Sequence, residues 1–294
     1  MKDMKICIKS VVVLAAMAMA GCVSVKKPAY DTLISHRGES KDAPENTMAA
    51  FKTAVERGFG FECDVYLSKD KKLFTFHDKT LSRTTAGANT NRCTEANWEG
   101  EISKLNVGGW GKWKGSKFDP SAPALLEDVL ELARDGRYIY VEVKDNDPTW
   151  VPYIKEVFAK SKKAHPGNVL FITFGSDLAA ELKRQMPEYK TYWLTGCRKY
   201  IQGEKDRTKW PAHTAEELIE ILNRIKVDGI DIQFDPAVID KKFVRTIKAA
   251  GYSLHVWTID ELDIAQKAFA AGADTLTTNR ALGLLKEFEN PSQK

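Results

Sequence analysis

Glu62 and Asp64 stand two residues apart in the run GFECDVY, residues 60–66. In a strand, alternation points both carboxylates to one face and Cys63 to the other. Adjacent carboxylates inside a fold repel unless a proton or a cation neutralises them, so the pair points to a hard divalent metal. Glu142 and Lys144 repeat the spacing, with Val141 and Val143 on the opposite face. His36-Arg37 follows the run TLIS (32–35), and His77 follows LFTF (73–76). Only the polar turn 68–71 separates LFTF from the Glu62 run, too short for a parallel crossover, so the two form a hairpin. A turn centred near residue 69 or 70 sets His77 opposite residue 62 or 63. Three carboxylates, two imidazoles, a guanidinium and an ammonium thus converge, without a serine–histidine–acid set or a glycine-rich phosphate loop. The collection suits phosphoryl chemistry: a metal polarises oxygens, cations balance developing charge, and imidazoles exchange protons near neutral pH.

Positioning these groups requires strands that deliver their ends to one mouth. From about residue 31, apolar β-rich runs alternate with amphipathic stretches. Strands are expected at 32–35, 60–66, 138–143, 168–173, 190–194, 229–233, 253–257 and 274–277. Helices are expected at about 46–57, 125–134, 149–163, 177–186, 214–226, 237–250, 261–271 and 281–289. Eight of each predict an α/β fold, a (β/α)8 TIM barrel, with the site at the C-terminal ends of the strands. The stretch from about 79 to 124 lacks periodicity and reads as a small insertion after the second-strand hairpin, placed over the barrel mouth.

The motifs His36-Arg37-Gly38, Ala43-Pro44-Glu45-Asn46-Thr47, Glu62-x-Asp64-Val65, His77-Asp78, Leu81-x-Arg83-Thr84-Thr85 and Glu142-x-Lys144 appear in this order. Through them the chain resembles the glycerophosphodiester phosphodiesterase family, densely over 33–85 and more sparsely to the end. The resemblance implies metal-dependent hydrolysis of glycerophosphodiesters to glycerol 3-phosphate and an alcohol. It makes His36 and His77 the acid–base pair, Glu62, Asp64 and Glu142 the metal ligands, and Arg37 and Lys144 the phosphate contacts. Either imidazole can be acid or base, with a lean toward His36 as the acid. Trp257, in Val256-Trp257-Thr258, resembles a late family element and reads either as a surface for the glycerol moiety or as core. Pro44 to Thr47 read as the first turn of the following helix, outside the catalytic set. Calcium ranks ahead of magnesium for an all-carboxylate site on an exported protein.

The first 21 residues read as a signal peptide: Lys2, Lys5 and Lys9 precede an apolar run shorter than a membrane span. The run closes on Met19-Ala20-Gly21-Cys22, resembling a lipobox in which Cys22 is lipidated. Residues 22–30 then form a linker and 31–290 the barrel. The implied location is the bacterial cell envelope, periplasmic or surface, with membrane contact through the N-terminal lipid. The whole chain carries a net charge of +4, and Lys2, Asp3, Lys5 and Lys9 account for +2, so the body is near neutral at +2. Without a basic, aromatic-interleaved run, nucleic acid is excluded as a partner, and no protein partner is implied. Cys63, Cys93 and Cys197 have no metal-type spacing and leave a disulfide open. Two rival readings stand: a phospholipase of the same barrel superfamily, resting Trp98, Trp110 and Trp113 on a bilayer, and a non-catalytic surface-binding lipoprotein.

Overall fold

The computed structural model describes residues 28–290. The signal segment, Cys22 and most of the linker lie outside the described residues. In chain order the elements are β1 (Leu33–Ser35), α1 (Met48–Glu56), β2 (Gly60–Leu67), β3 (Leu73–Thr75), α2 (Leu126–Leu130), β4 (Ile139–Val143), α3 (Val151–Lys160), β5 (Val169–Thr173) and α4 (Ser176–Gln185). There follow β6 (Lys190–Thr195), α5 (Ala215–Ile225), β7 (Gly229–Gln233), α6 (Lys241–Ala249), β8 (Ser253–Trp257), α7 (Leu262–Ala271), β9 (Thr275–Thr278) and α8 (Ala281–Glu289). Eight parallel strands close a ring, β1 pairing with both β2 and β9, so the chain folds as a (β/α)8 barrel.

Alternation sorts the strands. Ile34, Tyr140, Leu170, Ile172, Tyr192 and Leu194 fill the barrel interior. Val141 and Phe171, and on the far side Ile230 and Leu254, belong to the core layers shared with the helices. Both faces are buried, so the strands read as mostly apolar runs and their bounds are legible. Helix α5 begins at a reciprocal Thr214–Glu217 capping box and ends in a left-handed Lys226.

β1 has only three residues and covers only the lower edge of β2, at Gly60 and Phe61. The free upper edge, Val65 to Leu67, takes β3 in antiparallel register. Since Val65 faces Thr75, continuing two residues sets His77 level with Cys63, as the hairpin argument expected.

Two expectations need correction. The helix expected over 125–134 stops at Leu130, and the chain then turns through Gly136, whose φ is +73°, with Arg134 and Arg137 bridged across the turn. No residue of 79–124 lines the mouth pocket, and the insertion reaches the mouth through Arg83, which binds Asp78 and Glu45. Its apolar members Cys93, Trp98 and Ile102 are instead buried in the core cluster that contains Phe74 of β3. With Trp98 committed there, its ring tilted against Phe74 at 6.0 Å, it cannot serve as a bilayer contact. Cys63, Cys93 and Cys197 are buried free thiols, so no disulfide joins them.

Candidate active site

Parallel pairing sets Asp64 of β2 beside Glu142 of β4, and Glu62 lies one inward position below Asp64. One oxygen from each of the three buried carboxylates falls within 4.8 Å of the others. The repulsion expected from sequence is visible in their protonation. Burial, then Asp64 and Glu142, push the Glu62 carboxyl far up. Burial, then Asp64, push Glu142 up to about 7. Burial acts the same way on Asp64, but the Lys144 and Arg37 cations outweigh it and hold Asp64 well below the usual range. Lys144 Nζ stands 2.6 Å from Glu142 and 3.2 Å from Asp64, and Arg37 Nε 3.3 Å from Asp64. Glu62 Oε1 is buried without a hydrogen bond. A dry set of three carboxylates with an unsatisfied oxygen fits a hard divalent cation.

His36 and Arg37 leave β1 through a sharp turn. Arg37 has φ +55°, held by its N–H donating to Glu62 at 2.9 Å. Gly38 follows with φ +77°, and a Cβ there would sit 2.6 Å from the Ala50 backbone, so only glycine lets this turn lie against α1.

The His36 Nδ1 lies 2.7 Å from Asn279 Oδ1. Asn279 donates its amide to Asp260 at 2.8 Å, which fixes the carbonyl oxygen toward His36. His36 therefore carries its proton on Nδ1 and turns a bare Nε2 toward Glu62, 3.9 Å away. Burial, then the Arg37 charge, lower its pKa to about 4, so the ring is neutral at pH 7. His77 Nδ1 contacts Asp78 at 2.7 Å. Burial also lowers the His77 pKa, while Asp64 and Asp78 oppose the fall. Asp78 in turn accepts from Arg83, which reaches across to Glu45, and Glu45 accepts from Arg37. A continuous ladder of charge therefore joins His77 to Arg37.

Glu45 and Asn46 correct the first-turn reading of Pro44 to Thr47. The helix starts only at Met48, with Thr47 as its N-cap. Asn46 adopts φ +56°, a conformation that asparagine tolerates, and holds Asp64 from both sides. Its amide donates to Asp64 Oδ2 at 2.7 Å, and its Oδ1 accepts the Asp64 N–H at 3.1 Å. Asn46→Ala is expected to weaken divalent-cation binding about 10- to 100-fold by calorimetric titration. Unchanged affinity would mean that Asp64 needs no such support.

The second half of the mouth is apolar. A cavity of ≈ 180 Å³ runs from the charged residues to Ile172, Leu194, Phe174 and Trp257. Trp257 is half-buried, donates its indole N–H to the Asp231 carbonyl at 3.3 Å, and meets Phe174 edge to face at 5.9 Å. It is a wall of the pocket. Beside the residues expected from sequence, the structure thus adds Asn46, Glu45, Asp78, Arg83, Asn279, Asp260 and Phe174.

Fold and site together define a (β/α)8-barrel enzyme whose mouth brings three buried carboxylates, two imidazoles and two cations to one pocket. Comparison narrows the class: the chain matches the Glycerophosphoryl diester phosphodiesterase family over residues 36–282 and belongs to it. It is 30% identical over 251 residues to a glycerophosphodiester phosphodiesterase of Caldanaerobacter subterraneus subsp. tengcongensis, covering 84% of this chain and 93% of that one. A protein of the same name from Bacillus subtilis is 25% identical, over 77% of this chain and 76% of the relative. Among solved structures, an Oleispira antarctica phosphodiesterase in complex with sn-glycerol-3-phosphate superposes with a TM-score of 0.71 at 24% identity. That superposition covers 88% of this chain and 97% of the other, and speaks to the fold.

Proposed function

We propose that this protein hydrolyses glycerophosphodiesters to glycerol 3-phosphate and an alcohol, with a divalent cation, calcium before magnesium, held by Glu62, Asp64 and Glu142. The observation that carries the reading is the meeting of two imidazoles and two cations at one buried cluster of three carboxylates. When bound, the cation polarises the phosphoryl oxygens and offsets their charge. Arg37 and Lys144 then bind the phosphate. In place of the acid role leaned toward from sequence, His36 is assigned the base: its Nε2 is bare and its ring neutral. It takes the proton of the attacking water, or of the glycerol 2-hydroxyl, in which case water then opens the cyclic phosphate to glycerol 3-phosphate. His77, whose Nδ1 faces the Asp78 carboxylate, is better able to carry a positive charge and gives its Nε2 proton to the departing alkoxide. Incubating purified protein and calcium with glycerophosphocholine, -ethanolamine, -glycerol and -inositol should release glycerol 3-phosphate from at least one. Release from none would overturn the proposal.

Export and anchoring belong to the same proposal. The Lys-rich start, the apolar run and Met19-Ala20-Gly21-Cys22 support a lipid on Cys22 that holds the barrel at a membrane of the bacterial cell envelope. In cells fed a labelled fatty acid, the protein should carry label and sediment with membranes, and Cys22→Ser should lose both. Label retained by the variant would refute the anchor.

A further inference from the structure

We infer that Asp231 is a substrate-reading residue: from the buried floor of the mouth pocket its carboxyl group binds a hydroxyl of the glycerol moiety, so the site selects polyol phosphate esters over simple alkyl ones. The inference rests on the phosphodiesterase reading and supplies its specificity determinant.

Asp231 lies at the centre of β7, where Ile230 and Ile232 pack outward and Asp231 points inward, paired with Leu194 on β6 and His255 on β8. It lines the pocket yet is only 1% exposed, and its Oδ1 has no hydrogen-bond partner among the described residues. Buried polar atoms of native proteins are nearly always satisfied, so one on a residue that lines a ligand pocket can be satisfied by the ligand once the carboxyl turns to it. Neither a metal nor a counter-ion accounts for it. The carboxylate cluster consists of Glu62, Asp64 and Glu142 without Asp231. The nearest imidazole, His255, has its Nε2 3.8 Å away. That ring is occupied by the hydroxyls of Thr275 at 2.5 Å and Thr277 at 2.7 Å, and burial holds it neutral.

Burial and then the Glu142 charge push the Asp231 carboxyl well above the ordinary range and so favour the protonated form, which can both donate and accept. That form suits a neutral hydroxyl better than a cationic head group. The surroundings agree. Ile172 and Leu194 make the rest of the floor apolar, and the Thr277 hydroxyl is engaged with His255. A three-carbon chain whose phosphate lies among the cations can run along this floor against Trp257, with a hydroxyl at Asp231. Phe174, 51% exposed at the rim, is left to meet the variable alcohol.

The test compares glycerol 3-phosphate with n-propyl phosphate, which has the same chain without hydroxyls, by calorimetric titration of the calcium-loaded protein. Wild type should bind glycerol 3-phosphate about 10- to 100-fold more tightly, as expected when a buried polar group is left unpaired by the alkyl ester. Asp231→Leu should bring the ratio to within about twofold by weakening glycerol 3-phosphate alone, while Asp231→Asn, which keeps a donor and an acceptor, should retain most of it. Equal affinities in wild type, or a preference surviving in Asp231→Leu, would overturn the assignment. So would equal weakening of both esters. Should the leucine variant not fold, Asp231→Ala carries the same comparison, and the wild-type ratio stands without any variant. Failure of the wild type to cleave any glycerophosphodiester would defeat the phosphodiesterase reading, whereas cleavage without ester preference would defeat only the role of Asp231.

Discussion

His36→Ala and His77→Ala are each expected to lower kcat/KM about 10²- to 10⁴-fold, the usual contribution of a positioned proton-transfer group. Both variants should remain folded, since each loses mainly one side-chain hydrogen bond, to Asn279 or to Asp78, worth about 1–3 kcal/mol. The roles separate on leaving group. With a glycerophospho-p-nitrophenol substrate, the departing phenoxide needs no proton, so His77→Ala should recover most of its activity. His36→Ala should recover none, because its deficit lies in activating the nucleophile. The pH profile adds a sign. A base with its pKa lowered to about 4 stays deprotonated well into acid, so the limb of kcat/KM due to His36 lies below the ordinary imidazole value of about 6.5. A cation at the carboxylates would cancel the Asp64 attraction for the imidazolium and lower that limb further. Recovery in His36→Ala rather than His77→Ala would reverse the assignment, and loss of less than a few-fold in either would remove that residue from the reaction.

What was legible in the sequence follows from where information is local. Strand ends fell within about one residue because the inner parallel strands are short, mostly apolar or β-branched runs bounded by polar and turn residues. The Glu62–Asp64 pair and the hairpin needed only alternation and a turn length. The partners of these groups were not legible. His36 is oriented by Asn279, 243 positions away, and Asn279 by Asp260, contacts that exist only once β9 closes on β1. Asn46 is a nearer miss. Thr47 is a good N-cap residue and asparagine accepts a left-handed backbone, so the helix start at Met48 carried a signal that the reading of Pro44 as a first-turn residue overrode. The contacts of the insertion were not legible for another reason: aperiodic segments state that they are irregular, not which face of the barrel they join.

The Arg83–Glu45 pair shows what the insertion contributes. Arg83 leaves the insertion to bind both Asp78 and Glu45, tying the support of His77 to the loop that carries Arg37 and Asn46. Its guanidinium also lies 5.0 Å over the Trp110 ring, so the segment braces the mouth from its flank.

Removing the divalent cation should abolish activity and also change what the carboxylates do to the fold. In cation-free protein, Glu142 has its pKa raised to about 7 by burial and by Asp64, even with the Lys144 ammonium beside it. In the unfolded chain a glutamate titrates near 4.3. The folded state therefore binds the extra proton between these values, and stability contributed by the protonated carboxyl is fully present below about 4.3 and lost as pH rises through about 7. Glu142→Gln removes that loss. Without cation, the variant should melt with wild type near pH 4.5 and above it at pH 8, by an amount on the order of 2–3 kcal/mol, because neutralising the crowded pair outweighs losing the Lys144 contact. Referring wild type to its own variant cancels His36, whose lowered pKa gives the opposite slope between about 4 and 6.5. Saturating calcium should invert the order. Binding at about 1,000 times Kd stabilises wild type by about 4.1 kcal/mol, or roughly 8–16 °C for a domain of this size, while Glu142→Gln, with a weakened site, gains far less. Chelated wild type should lose hydrolysis and regain it with the cation, and the variant should stay inactive in both states. Activity that survives chelation, or a melting temperature indifferent to calcium in wild type, would remove the metal from Glu62, Asp64 and Glu142. The three buried carboxylates would then be left without a counter-charge for Glu62.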